Sequence, residues 1–308
     1  PNTSGYESFV TNIGEVSNKG FDFQLGGTII KNDNFSWNSD FNISFINNKV
    51  KKLPGGNDIQ QTERYLFGGV VSILREGESL GSFYLYESNG VFSTAKEAAE
   101  AGYIDKISKS NGGQPVAGDA RWVDQNKDGV IDTKDKIIAG NPIPDFTGGL
   151  NNTFKYKGLS LDAFFQFSKG NDVYNNFRTD LVRGFNTNYL KENLDAWKQE
   201  GDITDVPRNV LLDPANNSEG VVARPSTRFL EDGSFIKLKT VTLTYEFPNS
   251  VLEKLKLSGL KVYAKGTNLL TITKYSGFDP EVSVAQNNNA GQNGGFQFGI
   301  DRGLYPLS

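Results

Sequence analysis

The 308-residue chain has no cysteine and no histidine, and each gap removes a class of chemistry. Without cysteine there are no disulfides, no cysteine-ligated zinc and no thiol nucleophile. Without histidine the commonest general base is gone, and with it the Ser-His-Asp triad and histidine-ligated metals. Any metal held here is expected to be a hard cation bound through oxygen. An enzyme would be left with carboxylates, tyrosine, lysine and arginine, so a non-enzyme is expected. Methionine is missing as well, and the chain opens Pro1-Asn2-Thr3, as expected of a processed product or a piece of a longer polypeptide. Positive charge is not in excess: 32 Lys and Arg stand against 36 Asp and Glu, a net charge of −4. With no basic stripe, nucleic acid is not an expected partner. No apolar run approaches the ~18 residues of a membrane helix. That leaves membrane strands open, because their signal is much weaker per segment.

What is abundant points the other way from helices. There are 34 glycines against 11 prolines, with 22 Phe and 12 Tyr, a composition suited to an all-β chain with many turns. The clearest pattern is alternation. From Phe21 to Ile29 the odd positions are apolar or glycine and the even ones polar or glycine. After the turn triplet Asn32-Asp33-Asn34, Phe35, Trp37, Phe41, Ile43 and Phe45 share one face, and Ser36, Asn38, Asp40, Asn42 and Ser44 the other. This predicts a hairpin with arms of about ten residues. A second hairpin turns at Lys157-Gly158, between a first arm with Phe146, Leu150, Phe154 and Tyr156 and a second with Leu159, Leu161, Ala163, Phe165 and Phe167. A third turns near Pro248-Asn249, between Val241, Leu243, Tyr245, Phe247 and Leu260, Val262, Ala264. Ile236 and Leu238 are out of phase with Val241, which predicts a β-bulge between them.

Alternation alone suits a soluble sandwich as well as a membrane barrel, since each buries one face. Three features favour the barrel. The arms are about twice the usual five or six residues of a sandwich strand. The hairpins close in a few residues, or about a dozen in the third, whereas roughly 90, 55 and, at the C-terminal end, over 30 residues follow them, the short-turn, long-loop asymmetry of a transmembrane barrel. Aromatics also crowd beside the short turns (Phe35, Trp37, Phe154, Tyr156, Tyr245, Phe247), where an interfacial girdle would sit. Six strands are too few to close such a barrel, so further strands are expected. Two short helices are expected in the long loops: one opened by the capping box of Thr94 and Glu97 and stopped by Gly102, the other over Asn188 to Glu200 with Leu190, Leu194 and Trp197 on one face and Gly201 as its stop.

One loop carries a chemical motif. In DQNKDGVIDTKD, residues 124–135, the spacing matches a calcium loop of the EF-hand type, whose positions 1, 3, 5, 7, 9 and 12 supply oxygen. Those positions are Asp124, Asn126, Asp128, the Val130 carbonyl, Asp132 and Asp135, with Gly129 at the sharp turn. Asp135 stands where a bidentate Glu is usual, so weaker affinity is expected. The bland alternative is a loop of Asx turns. A structural calcium is expected, bracing a long loop.

Several segments, taken in order, resemble the SusC/RagA family of TonB-linked outer-membrane transporters. They are GSFY at 81–84, GDARWV at 118–123, the calcium-type loop with IAGNPIPDFTGG at 138–149, LDAFFQF at 161–167 and NLLTITKYSGFDPE at 268–281. The resemblance covers essentially the whole chain, residues 1–308, and maps it to the C-terminal part of the family's barrel. It implies an all-β fold, an antiparallel transmembrane β-barrel portion with long extracellular loops, supplying the C-terminal strands of a barrel of about 22 strands. The family's plug domain and earlier strands have no counterpart here, and neither does the final strand that follows a motif like Gly303–Ser308. The function implied is TonB-dependent import of oligosaccharides or peptides across the outer membrane of a Gram-negative, Bacteroidetes-like bacterium. The implied partners are a SusD-like surface lipoprotein, the TonB complex acting through the plug, the cargo and outer-membrane lipid.

On this reading Asp22, Gln24, Asp40, Asp162, Gln166, Lys261 and Lys265 face a wet lumen. Loop aromatics such as Tyr84, Tyr86, Trp122, Phe177 and Tyr189 are suited to stacking on sugars, although packing is the commoner role for any one of them. Two other readings stay open: a soluble, calcium-stabilised surface glycan-binding or adhesin β-domain, and more remotely a two-carboxylate glycoside hydrolase.

Overall fold

A computed structural model describes residues 14–62, 70–108, 110–183, 189–210, 218–219, 222–281 and 300–301. The motif Gly303–Ser308 and the opening Pro1-Asn2-Thr3 lie outside them.

Six long strands form one antiparallel meander, each paired with its neighbours in chain order. They are β1 Glu15–Lys31, β2 Phe35–Lys52, β3 Phe146–Tyr156, β4 Leu159–Lys169, β5 Phe235–Glu246 and β6 Lys261–Thr273. The register puts the alternation to use across the whole sheet. Leu25 stands opposite Phe41, which stands opposite Leu150, then Phe165, Leu238 and Leu270. A row nearer the short turns runs Trp37, Phe154, Leu161, Leu243, Ala264. Between such rows lies the polar parity, in which Asp22 pairs with Ser44, Thr153 with Asp162, and Thr242 with Lys265. The sheet thus has one continuous apolar face and one polar face. The apolar face is open: Leu25 is 64% exposed, Ile272 60% and Val262 58%.

The arms of the first hairpin are longer than the ten residues expected, 17 and 18. At about 3.3 Å per residue they extend well beyond an apolar band of about 25 Å. Their far ends leave the plane of alternation and hold the loops: Val50 accepts from the Gly77 amide and donates to Glu78, and Leu80 donates to the Asn48 side chain. The bulge expected in β5 falls at Lys239, where both neighbouring strands shift register. A second bulge, at Ile29, was not foreseen; it brings Ile30 rather than Ile29 opposite Trp37.

Turn chemistry explains the tight connections. The Asn32 side-chain carbonyl accepts from the amides of Asn34 and Phe35, an Asx-type closure. Lys157 takes a left-handed φ of 52° beside Gly158. The third connection contains a short helix, α3 Asn249–Leu255.

Among the described residues both buried apolar clusters lie in the long loops that connect the hairpins. One cluster joins Phe83, Leu85, Tyr174, Val182 and Phe229. A second joins Tyr86, Phe92, Ala98, Tyr103, Ala120, Trp122 and Ile131. The helix α1 Ala95–Ala99 forms with half of the expected capping box: Thr94 Oγ1 accepts from the Glu97 amide, but Glu97 Oε2 accepts from the Ser93 amide and not from that of Thr94, and Gly102 follows at φ 75°. The second expected helix is absent. Asn188 lies outside the described residues, and the rest holds only a 3-10 turn at Lys191–Asp195. Leu194 is 71% exposed, while Trp197 turns away to donate its indole N–H to the Ser93 carbonyl. Its backbone amide bonds to Val206 instead of continuing a helix. A second loop helix forms instead at Asn176–Arg183 (α2), opened by Asn175, whose side-chain carbonyl accepts from the Arg178 amide, an N-cap signal that the sequence reading missed.

Candidate functional site

The 124–135 loop is threaded into the second loop core by short pairings at both ends. Ala120–Trp122 pairs with Ser88–Val91, and Val130–Ile131 runs parallel to Ile104–Asp105. Inside it Asp124, Asn126 and Asp128 accept from amides of the loop itself, Asn126 and Asp128 remaining exposed and bonding two residues ahead as in Asx turns. Asp124 Oδ2 accepts from the Gly129 amide at 2.8 Å, Asn126 Oδ1 from Asp128 at 3.0 Å and Asp128 Oδ1 from Val130 at 2.9 Å. Gly129, at φ 78°, makes the turn that a side chain would strain.

Asp135 is fully buried and both its oxygens are used: Oδ1 accepts from Gln125 and Oδ2 from Asp132. It closes the loop's two ends as part of a capping box with Asp132. A carboxylate oxygen has about two lone-pair sites, so these bonds leave room for further coordination. Asp124 Oδ1 is buried and has no hydrogen-bond partner. Among the described residues no three acidic side chains converge into a ready-made carboxylate cage. The donor set that fits the loop is mixed, combining carboxylate, amide and backbone carbonyl oxygens.

Beneath the loop lies a charge pair that the sequence reading missed. Arg224 donates to Asp105 at 2.8 Å, with side chains 1% and 6% exposed. Its guanidinium lies 4.4 Å from the centroid of Trp122 and 5.6 Å from that of Tyr86. Burial pushes the Tyr103 hydroxyl up to about 12, so it stays protonated, and its oxygen accepts from the Trp122 amide. Lys136, just after the loop, sits 5.5 Å from the Tyr84 ring and 5.2 Å from the Tyr86 ring. Desolvation lowers it to about 8.

The polar face of the sheet carries the other candidate surface. Ser44 donates to Asp22, Thr28 to Asn38 and Thr153 to Asp162. At its loop end Lys237, 1% exposed, bonds to Asp279 at 2.5 Å and to Glu281 at 2.6 Å, and Lys239 also reaches Glu281. The segment after β6 is thereby clasped against the polar face.

Most of the aromatics singled out for stacking are committed to packing. Tyr84, Tyr86 and Trp122 are buried. Phe177 packs on Phe278 with ring centroids 5.7 Å apart. Only Tyr189 among the five is open, at 53%.

No protein-family model matches the chain. Individual proteins do. TonB-dependent receptor P3 of Formosa agariphila is 36% identical over 308 residues, covering 99% of this chain and 29% of the receptor. TonB-dependent receptor SusC of Bacteroides thetaiotaomicron is 27% identical over 282 residues, 88% of this chain and 24% of SusC. The chain spans less than a third of the length of these curated relatives. Among solved structures, the RagAB peptide transporter superposes with a TM-score of 0.69 at 28% identity, covering 99% of this chain and 30% of the matched one.

Proposed function

Because this chain is a homologue of TonB-dependent receptors of the SusC kind along nearly its whole length, we propose that it forms the C-terminal barrel strands of an outer-membrane importer. The cargo is an oligosaccharide or a peptide, and a SusD-like lipoprotein caps the long-loop side. TonB supplies the energy through a plug elsewhere in the whole protein. The observation that carries this reading is the six-strand meander with one open apolar and one polar face, overlaid on RagAB across 99% of the chain. In that setting the apolar rows meet lipid, the polar face lines the lumen, and the loop cores form an extracellular cap. Neighbouring aliphatic rows this exposed would be costly in water at about 25 cal/mol per Å², which weighs against a soluble adhesin domain. The test is uptake of labelled oligopeptide and oligosaccharide pools by cells carrying or lacking the gene. One pool should enter only with the gene and with TonB, and a lipoprotein should co-purify. Uptake indifferent to both deletions would sink the assignment.

The 124–135 loop we read as a structural calcium site, held by Asp124, Asn126, Asp128, the Val130 carbonyl, Asp132 and Asp135. The orphaned, buried Asp124 Oδ1 supports it, since an unpaired buried carboxylate oxygen needs a cation or a donor. When bound, the ion would neutralise the loop's carboxylates and pin it to the cap. Calorimetry on the full-length protein should show calcium binding that Asp124→Ala abolishes, and chelation should expose the loop to protease. An absence of binding heat in the parent protein would refute the metal.

A further inference from the structure

Where the apolar face meets the long loops, β3, β4, β5 and β6 leave a cleft of about 390 Å³ floored by Phe146, Phe167, Ile236 and Ile272. The floor continues the face itself, for Phe167 stands opposite Ile236 and Ile236 opposite Ile272. It is open, with Ile236 50% and Ile272 60% exposed. Two lysines edge it. Lys169 pairs directly with Phe146 and so projects from the apolar face, and Lys274 lies two residues beyond Ile272. Both are exposed. One carboxylate shares the rim: Asp232 lies 3.6 Å from Lys169, in a pair of half-exposed side chains. Two cations against one anion leave the mouth of the cleft net positive.

A single lysine at a membrane boundary is ordinary, since its stem covers apolar surface while its ammonium reaches water. A cleft with an aromatic and aliphatic floor beneath two such lysines asks for more. A free anion would have no use for the floor, and a neutral lipid none for the lysines. The ligand that uses both has a hydrocarbon chain joined to a negatively charged head.

Resting on the outer-membrane reading above, which turns the long loops outward, we propose that this cleft seats an acyl chain of a phosphorylated glycolipid of the outer leaflet. Lys169 and Lys274 hold its phosphate. The bound lipid fixes the depth of β4 to β6 in the membrane and excludes water from the seam below the cap.

The test uses the full-length receptor in non-ionic detergent, titrated with monophosphorylated lipid A and with the same lipid stripped of phosphate, and read by native mass spectrometry. The phosphorylated lipid should bind, and the double variant Lys169→Gln, Lys274→Gln should bind it about 30-fold more weakly, at about fivefold per lysine near a charged membrane surface. Inorganic phosphate at matching concentration should not compete. Equal binding of both lipids, unchanged affinity in the double variant, or displacement by inorganic phosphate would each overturn the lipid site. Both lysines are exposed, so the variant should still migrate as a heat-modifiable barrel. A parent protein that never inserts as a barrel overturns this inference together with the import reading; a well-inserted variant with parental affinity overturns the lipid site alone.

Discussion

Single residues in the loop cap do work that composition cannot reveal. Asp105 and Arg224 lie 119 positions apart, and nothing local marks either as half of a buried pair. Removing one partner of such a pair typically costs about 3–5 kcal/mol, because a charge is left dry and alone. Lys136 shows the same conflict between charge and burial, with desolvation lowering its pKa. Tyr84 and Tyr86 offer their rings, which compensate only part of the lost hydration. Its folded value, near 8, lies below the ordinary lysine value of 10.5, so the unfolded chain holds the proton more tightly. Between about pH 8 and 10.5 the unfolded state therefore binds more protons, and stability rises with pH through that window. Below it the cost of burying the ammonium is fully present. Reductive ¹³C-methylation should give a lysine resonance titrating near pH 8 that is lost in Lys136→Met. A spectrum with no lysine resonance titrating near 8 would refute it.

At the scale of strands, glycine and aromatic positions decide how the two faces are filled. Gly148 and Gly149 are successive residues on opposite faces of β3, and each is covered by an aromatic ring from β4. Phe167 lies over Gly148, and Phe164 lies over Gly149, where an added Cβ would come within 2.8 Å of the ring. Phe164 thus sits on the polar face, an exception the alternation of Ser160, Asp162 and Gln166 did not foretell. The two faces give a paired prediction. Leu150 faces Phe41 and Phe165 in the apolar row, and Asn151 faces Asp40 and Phe164 on the other side. In liposomes Leu150→Arg should lose about 2–4 kcal/mol of folding free energy, the cost of a cation near mid-bilayer. Asn151→Arg, one residue away, should lose far less. Equal losses would mean that the apolar face does not meet lipid.

The same elements show what could be read in advance. Parity is local, so six alternating segments and the slip at Lys239 were visible in sequence. The bulge at Ile29 was not, because Ile29 and Ile30 are both apolar and parity there has no contrast. Leu190, Leu194 and Trp197 have helical spacing, yet the distant Ser93 carbonyl and Val206 take the bonds of Trp197. The oxygen spacing of the 124–135 loop, on which the calcium proposal rests, was legible in the sequence. The use of both Asp135 oxygens by backbone amides depends on how the loop closes, which no spacing states.

The whole molecule inverts the arrangement of a soluble β-protein: its buried clusters are in the loops and its large sheet is open on both faces. The outer strands β1 and β6 have no partner on their far sides among the described residues. In hydrocarbon each unpaired N–H or C=O on such an edge costs several kcal/mol, so in the membrane both edges must be satisfied by further strands. Whether one face is lipid and the other water can be tested across the sheet at once, because these 308 residues contain no cysteine and any cysteine elsewhere in the full-length protein can be replaced by serine before a single thiol is introduced. Spin labels at Phe23, Phe41 and Leu161 should collide readily with oxygen, which concentrates in the bilayer, and rarely with a water-soluble nickel chelate. Labels at Gln24, Asp40 and Asp162 should show the reverse. A soluble sandwich would shield the first set from both reagents, since a packed second layer admits neither. The discriminating quantity is therefore oxygen access at the apolar rows of the full-length protein in proteoliposomes. High oxygen access at all three apolar sites is what a membrane-facing wall requires, and shielding at those sites would return the sheet to the interior of a water-soluble domain.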